Sequence, residues 1–103
     1  MSDGSADRVF ELAAELFGLL AAPARLRILC QLRDGEKSVG EIVDYLGASQ
    51  PNVSQHLRVL HRAGIVGRRR AGAMVFYRIV SEPVISLCDA VCQQRVEDAV
   101  AGQ

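Results

Sequence analysis

Near the middle of this chain, the signal that ends one helix is separated by a single residue from the signal that begins the next. Ser38, followed three residues later by Glu41, forms a capping box that opens a helix, and Gly47 ends that helix. Ser49 is then the N-cap of the next helix, which continues to about Ala63. Because two short helices joined by so tight a turn are typical of a helix-turn-helix, this pair constrains the fold most strongly.

Apolar residues at helical spacing predict three further helices around this pair. They indicate a first helix from Ala6 to Leu20, a second from Pro23 to the pair Asp34-Gly35, and a last from Pro83 to about Val100. Pro23 suits the first turn of a helix because its missing N–H would have no partner there.

After Gly64 the apolar period changes to two, which is the period of a strand. Strands are predicted at Ile65-Val66 and 74–79, joined by a hairpin across residues 70–73 that includes a glycine. The expected fold is mainly α with a small β-hairpin, a winged helix-turn-helix of five helices and a wing. A chain of 103 residues accommodates one domain, so we assign residues 1–103 to a single domain.

The charges of this formally neutral chain are segregated. No acidic residue lies between Asp44 and Glu82, and that window holds half of the twelve basic residues: Arg58, Arg62, Arg68, Arg69, Arg70 and Arg78. A neutral protein with one basic sector can turn that sector toward a polyanion and its acidic remainder away. Because neutralised phosphates supply most of the non-specific affinity for DNA, the pattern favours a DNA-binding protein.

The start of the second helix of the central pair carries side chains suited to reading base edges in the major groove. Those that donate or accept hydrogen bonds are Ser49, Gln50, Asn52, Ser54, Gln55 and His56. Gln and Asn can bind adenine bidentately. Further along this helix, Arg58 and Arg62 are expected to hold the DNA backbone. In the wing, Arg68, Arg69 and Arg70 are expected to reach phosphates or a narrow minor groove. The alternative is that these polar side chains form only a solvated face.

The run from Leu19 to Ile79 resembles the arsenic-repressor (ArsR/SmtB) family of bacterial transcription regulators. The resemblance implies a homodimer that binds double-stranded operator DNA with two inverted half-sites and blocks transcription until an inducer arrives. It also implies that the first and last helices form the dimer interface, which agrees with their apolar stripes. These stripes are Val9, Phe10, Leu12, Ala13, Leu16, Phe17 and Leu20 in the first helix, and Val84, Leu87, Cys88, Val91, Cys92 and Val96 in the last.

The inducer site departs from that of the best-known family members. The arsenic and cadmium sensors carry Cys-x-Cys where this chain has Ser38-Val39-Gly40, and the zinc sensors carry Asp and His on the last helix, where this chain has no histidine. Cys30 within ILCQL resembles the sulfide-responsive subgroup, in which persulfide oxidation links this cysteine to one on the last helix and weakens operator binding. The subgroup's second cysteine falls near Val96. Cys88 or Cys92 must therefore replace it, and the sequence leaves that choice open.

Three interpretations of Cys30, Cys88 and Cys92 remain. They form a thiol or persulfide redox sensor that needs no cofactor, or they bind As(III) or a soft metal ion, which thiolates suit. The third interpretation is that they fill the core as small apolar side chains. A direct bridge between Cys88 and Cys92 is not expected, because residues four apart on a helix have Cβ atoms roughly 5–6 Å apart and a disulfide needs about 3.8 Å.

Other classes of function find less support in the sequence. No Ser/His/Asp arrangement or Gly-rich phosphate loop indicates catalysis, so we expect a repressor and not an enzyme. The alternative from another class is a protein-interaction module on a winged-helix scaffold. No stretch approaches the ~18 apolar residues of a membrane span, and acidic residues stand where a secretory signal would be basic. We therefore expect a cytoplasmic protein with no membrane partner and with reduced cysteines.

Overall fold

The computed structural model describes the backbone of residues 4–101 and the side chains of residues 7–93. Within residues 4–101, eight elements follow one another: α1 (Gly4–Leu20), α2 (Pro23–Arg33), β1 (Lys37–Ser38), α3 (Val39–Leu46), α4 (Gln50–Arg62), β2 (Val66–Ala71), β3 (Met74–Ile79) and α5 (Glu82–Ala101). The five predicted helices and the hairpin are confirmed, although α1 and α5 begin one or two residues earlier than predicted. Within the described part of the chain, no helix combines the length and hydrophobicity that crossing a bilayer requires.

The central pair of helices begins and ends as its caps predict. Ser38 Oγ accepts a hydrogen bond from the Glu41 backbone N–H at 3.1 Å, and a Glu41 carboxylate oxygen accepts one from the Ser38 N–H at 3.0 Å. Gly47 ends α3 at φ 66°, in the left-handed region where a side chain would be strained. Ser49 Oγ accepts from the Asn52 N–H at 3.3 Å and opens α4. Local sequence thus sets the direction in which α4 leaves the turn.

The wing differs from the prediction in two respects. The short strand β1 was not predicted; it pairs antiparallel with β3, with Ser38 opposite Phe76, and gives the sheet order β1-β3-β2. β2 continues to Ala71, so the turn at Gly72, with φ 62°, is shorter than predicted. Residues 68–70 therefore lie within a strand, where successive side chains point to opposite faces.

The core holds α4 by its inner face. The side chains with no exposed surface are Ile28 and Leu29 in α2, Ile42 in α3, Val53, Leu57 and Leu60 in α4, and Val84 in α5. Complete burial of such a side chain contributes about 1.5–3 kcal/mol. The spacing of the three buried positions in α4 leaves the opposite face of that helix to solvent.

The first helix leaves much of its apolar stripe uncovered. Phe10, Val9 and Phe17 are 75%, 61% and 60% exposed, and Val91 of α5 is 41% exposed. Leu20, near the end of α1, is buried in the core. Apolar surface of this kind is typical of an interface with another protein. The side chain of Val96, which the sequence places in the stripe of the last helix, lies outside the described residues.

Candidate functional site

The N-terminal half of α4 presents most of the predicted base-reading side chains to solvent. Ser49, Gln50, Asn52, Gln55 and Arg58 are exposed, and Ser54 and His56 are half-buried. The first turn of a helix also carries N–H groups without intrahelical partners and a partial positive charge. This face can therefore offer both hydrogen-bond donors and acceptors to a polyanionic duplex.

His56 is hydrogen-bonded to a different helix. Nε of Arg25 in α2 donates to His56 Nδ1 at 3.2 Å, and Nη1 of the same guanidinium donates to the Leu19 carbonyl at 3.0 Å. Arg25 therefore joins the end of α1 to α4. Sequence reasoning did not predict the contact between Arg25 and His56, because no local pattern indicates a contact between residues 31 positions apart.

The three adjacent wing arginines differ in their surroundings. Arg69 pairs with Glu36 through two hydrogen bonds, of 2.6 Å and 3.1 Å, and its guanidinium lies 4.8 Å from the centre of the Phe76 ring. The hydrogen bond from Arg69 holds the pKa of Glu36 below its ordinary value. Arg68 and Arg70 are exposed and alternate with Arg69 along β2. The partner of Arg69 lies 33 positions away in sequence and was not predicted.

Two of the three cysteines meet between α2 and α5. The sulfur atoms of Cys30 and Cys92 lie 3.0 Å apart, and both residues are half-buried. One turn after Cys30 in α2 and one turn before Cys92 in α5, Arg33 Nη1 lies 3.5 Å from Asp89 Oδ1. Because Arg33 follows Cys30 by three residues and Asp89 precedes Cys92 by three, the two helices run antiparallel at this contact.

Arg33 brings a positive charge to this sulfur pair. The negative charge of a Cys92 thiolate raises the pKa of the Arg33 guanidinium; desolvation opposes the shift, and Asp34 and Asp89 add to it. The guanidinium therefore stays charged beside the two sulfurs. This contact therefore combines two adjacent sulfur atoms with a nearby positive charge.

Cys88 is placed differently from the other two cysteines. It is only 4% exposed, and burial raises the pKa of its thiol, with the charges of Cys92 and Asp89 adding to the shift and Arg33 opposing it. It lines an apolar cavity of about 220 Å³ between α1, α2 and α5, together with Cys30 and Leu29. A buried thiol with a raised pKa is a poor nucleophile at neutral pH.

In its three-thiolate form, a site for a soft metal ion or As(III) would require the three cysteine sulfurs to converge. Among the side chains of residues 7–93, no three Cys, His, Asp or Glu residues form a group that could hold a metal ion. Two sulfurs are in contact, and the third belongs to a buried thiol with a raised pKa. Within a single chain, these residues do not fit a three-thiolate ligand set.

Known proteins share this arrangement of helices and wing. Residues 22–67 match the family described as bacterial regulatory protein, arsR family. The HTH-type transcriptional repressor SmtB of Mycobacterium tuberculosis is 39% identical over 92 residues, which span 89% of this chain and 68% of that protein. Reduced HlyU from Vibrio cholerae has a TM-score of 0.83 at 36% identity, over 87% of this chain and 95% of that chain. The homodimeric winged helix-turn-helix DNA-binding domain of Mb0332 from Mycobacterium bovis has a TM-score of 0.78 at 28% identity, over 99% and 94% of the two chains.

The matched family and the similar proteins are winged helix-turn-helix transcription regulators, a class of DNA-binding proteins and not of enzymes. The chain belongs to the ArsR/SmtB family of bacterial transcriptional repressors, as the resemblance of its central run predicted. Its membership of the sulfide-responsive subgroup stays a prediction.

Proposed function

We propose that the protein is a homodimeric repressor of an operator with two inverted half-sites, and that oxidation joining Cys30 to Cys92 releases it from DNA. The observation that carries the switch is the 3.0 Å separation of two sulfur atoms whose residues lie 62 positions apart in sequence. We further infer that the chain acts as one domain in the cytoplasm, where thiols are reduced at rest.

The exposed face of α4 supports the reading of base edges. Gln50, Asn52 and Gln55 each carry an amide that donates and accepts, which matches the paired acceptor and donor of adenine. Ser49, Ser54 and His56 add smaller hydrogen-bonding groups, and Arg58, Arg68, Arg69 and Arg70 add charge for phosphates. The absence of acidic residues between Asp44 and Glu82 keeps this surface attractive to a polyanion.

The uncovered apolar stripe of α1 supports dimerisation through α1 and α5. Phe10, Val9 and Phe17 expose most of their surface in a single chain, and Val91 extends the stripe onto α5. Covering such side chains with a second copy would remove apolar area from water, which favours association. The homodimeric relative from M. bovis supports a dimer, although its name does not specify the interface. A two-fold dimer would present two α4 helices to half-sites about one turn of DNA apart.

The proposed redox step needs only two thiols and an oxidant of the hydropersulfide class. One cysteine thiolate attacks the terminal sulfur of a hydropersulfide, RSSH; that sulfur moves to the cysteine, and the thiol RSH leaves. The second thiolate then attacks the protein-side sulfur of the new persulfide. The Cys30–Cys92 bond forms and hydrogen sulfide leaves with the displaced electron pair. The two cysteines together lose two electrons, and the transferred sulfur is reduced to sulfide.

A bond between α2 and α5 can influence DNA binding because α2 shares a core with α4. Leu29 of α2 and Leu57 of α4 belong to one buried cluster. α5 belongs to the proposed dimer interface, so a change in its position relative to α2 would alter the angle between the two α4 helices. An inducer acts only when it favours the state that binds DNA less well, and we expect the oxidised dimer to be that state.

The test compares DNA binding and covalent state in reduced and hydropersulfide-treated protein. A duplex selected by the reduced protein from random DNA serves as operator. We expect treatment to weaken binding at least about tenfold and peptide mapping to detect Cys30 joined to Cys92, directly or through added sulfur. Cys30→Ser and Cys92→Ser should bind the operator without responding to the oxidant. Cys88→Ser is the matched control and should respond like the parent.

Four results would contradict the proposal. An unchanged response in Cys30→Ser, or a lost response in Cys88→Ser, would show that a different thiol is involved. Stoichiometric binding of arsenite, with loss of all three thiols and release of DNA, would favour the metalloid sensor. A reduced protein that selects no DNA sequence would favour the protein-interaction module.

A further inference from the structure

Arg25 connects three helices through one guanidinium. It lies half-buried in the first turn of α2, where Nε donates to His56 Nδ1 at 3.2 Å and Nη1 donates to the Leu19 carbonyl at 3.0 Å. Leu19 is the next-to-last residue of α1, so its carbonyl lacks an intrahelical partner. The same side chain therefore caps the end of α1 and reaches the helix whose exposed face carries the proposed base readers.

The contact determines which nitrogen of His56 carries the proton. An arginine guanidinium stays protonated and only donates hydrogen bonds, so Nδ1 must be the unprotonated nitrogen. A neutral imidazole that accepts at Nδ1 has its proton on Nε2. With Nδ1 as the acceptor, the donor that the ring offers is Nε2–H.

This donor is accessible on the edge of the reading face. In the part of the chain whose side chains are described, no nitrogen or oxygen is both buried and without a hydrogen-bond partner. His56 is half-buried and meets Arg25 through Nδ1, which leaves Nε2 to solvent. His56 follows Asn52 by four residues and lies one turn along the same side of α4. The Nε2–H group therefore extends the polar edge that begins with Asn52.

We propose that Arg25 is a positioning residue for operator recognition, which holds His56 as a fixed hydrogen-bond donor toward an acceptor atom of the duplex. The acceptor is a phosphate oxygen or a base-edge acceptor in the major groove, both of which take an N–H donor. This inference rests on the proposed DNA-binding function and adds to it a residue of α2 that acts through His56. Without Arg25, the ring would rotate and its proton would exchange between the two nitrogens, so the donor would be present in the right place only part of the time.

The first measurement is NMR spectroscopy of the free, reduced protein. An N–H···N hydrogen bond transmits a scalar coupling between its two nitrogens, so we expect a coupling between Arg25 Nε and His56 Nδ1. We also expect the ring proton of His56 on Nε2. His61, exposed on the same helix, is the internal control and should have no such coupling. Arg25→Gln should remove the coupling while the backbone signals of α4 stay close to those of the parent.

The second measurement is affinity for the operator that the parent protein selects. His56→Asn keeps an acceptor near the position of Nδ1 but has no donor near Nε2, whereas His56→Gln places an amide donor near Nε2. We expect His56→Asn to weaken binding about tenfold and His56→Gln to weaken it less. Arg25→Gln should weaken binding about as much as His56→Asn. Because Arg25 acts through His56, the double variant should lose no more than either single one.

The outcomes separate this inference from the proposed function. A loss confined to the operator supports a base acceptor, and an equal loss on an unrelated duplex supports a phosphate oxygen. Losses that add in the double variant, or a His56 ring protonated on Nδ1, would overturn the role of Arg25 even when the parent binds its operator. If the parent selects no DNA sequence, the proposed function fails and this inference fails with it, although the nitrogen–nitrogen coupling remains.

Discussion

Two regions of the molecule differ in what a single chain provides. α4, whose exposed face is the proposed base reader, is held by the core of its own chain, whereas the region of α1 and α5 near the cysteines exposes an apolar surface that a second copy would cover. α4 begins at a serine cap and buries Val53, Leu57 and Leu60 completely. α1, in contrast, exposes most of Phe10 and Phe17, and Phe17 lines the same apolar cavity as Cys30. The difference teaches that α4 can be preformed in each chain, whereas the proposed spacing of two α4 helices and their proposed control by the thiols would depend on a dimer.

The largest expected effect comes from a substitution that prevents dimerisation and leaves the fold of α4 intact. Phe10→Asp places a charge in the uncovered stripe of α1, so we expect monomers at concentrations where the parent is a dimer. Operator affinity should fall by about 100-fold or more, because the two half-sites are no longer bound as one unit. Sedimentation and fluorescence anisotropy measure the two quantities. Tyr45→Asp, at another exposed aromatic residue outside α1 and α5, is the control for oligomeric state and should remain dimeric. A dimeric Phe10→Asp protein would contradict the proposed interface.

The next effect separates base reading from phosphate binding within the reader. Gln50→Ala should reduce discrimination at one operator position by about tenfold, because a bidentate amide contact is lost. Arg70→Ala should weaken binding to every duplex alike. The slope of log affinity against log salt concentration should fall in magnitude by about one, because one fewer counterion is released. Arg69→Ala should act in the same direction but less, because Glu36 already pairs with Arg69. Binding titrations at several salt concentrations compare the three variants. Equal sequence-dependent losses from all three would refute the division into base-reading and phosphate-binding residues.

A smaller effect tests whether the reader is stabilised by its own caps. Ser49→Ala should lower the free energy of unfolding by about 1 kcal/mol, since the Asn52 N–H loses its acceptor. Ser38→Ala should cost more, because Ser38 is buried and the Glu41 N–H, which loses the Oγ acceptor, has less access to water there. Denaturant unfolding at fixed protein concentration gives both values. Ser86→Ala, exposed within α5, is the matched control and should not destabilise the protein.

The smallest effect concerns the pH dependence of the wing. The pKa of Glu36 is lower in the folded protein because Arg69 donates to its carboxylate. The pair therefore stabilises the fold above the ordinary glutamate pKa of about 4.3, and this contribution disappears as pH falls through the lower folded value. Glu36→Gln should be slightly less stable than the parent at neutral pH and equally stable in strong acid. Thermal melts across this range measure the difference, and a gap that persists in acid would mean that Glu36 acts by another route.

The sequence predicted those parts of the structure that short-range chemistry decides. Ser38, Gly47 and Ser49 set the bounds of the central helices through bonds to residues at most four positions away. The inner face of α4 follows from the helical spacing of its apolar residues. The DNA-contact positions and the three cysteines were likewise chosen from composition and spacing, and their functional roles stay predictions.

Contacts between distant residues could not be predicted in this way. β1 has two residues and therefore no readable period; it exists because β3 provides a partner strand. The pairs Arg25–His56 and Glu36–Arg69 join residues more than 30 positions apart, and only the packed fold brings them together. The position of Cys92 beside Cys30 is of the same kind, because it depends on the antiparallel packing of α5 on α2.

The contact between Cys30 and Cys92 brackets the entire DNA-reading half, since that half lies between the two cysteines along the chain. A disulfide at this point would close the segment between the two cysteines into a loop. On a chain-entropy estimate, the lost freedom of the unfolded chain would stabilise the folded protein by about 4 kcal/mol. The form released from DNA would then resist heat and proteases better than the form that occupies the operator. Oxidised protein would therefore be degraded more slowly, and its reduction would restore operator binding without synthesis of new protein.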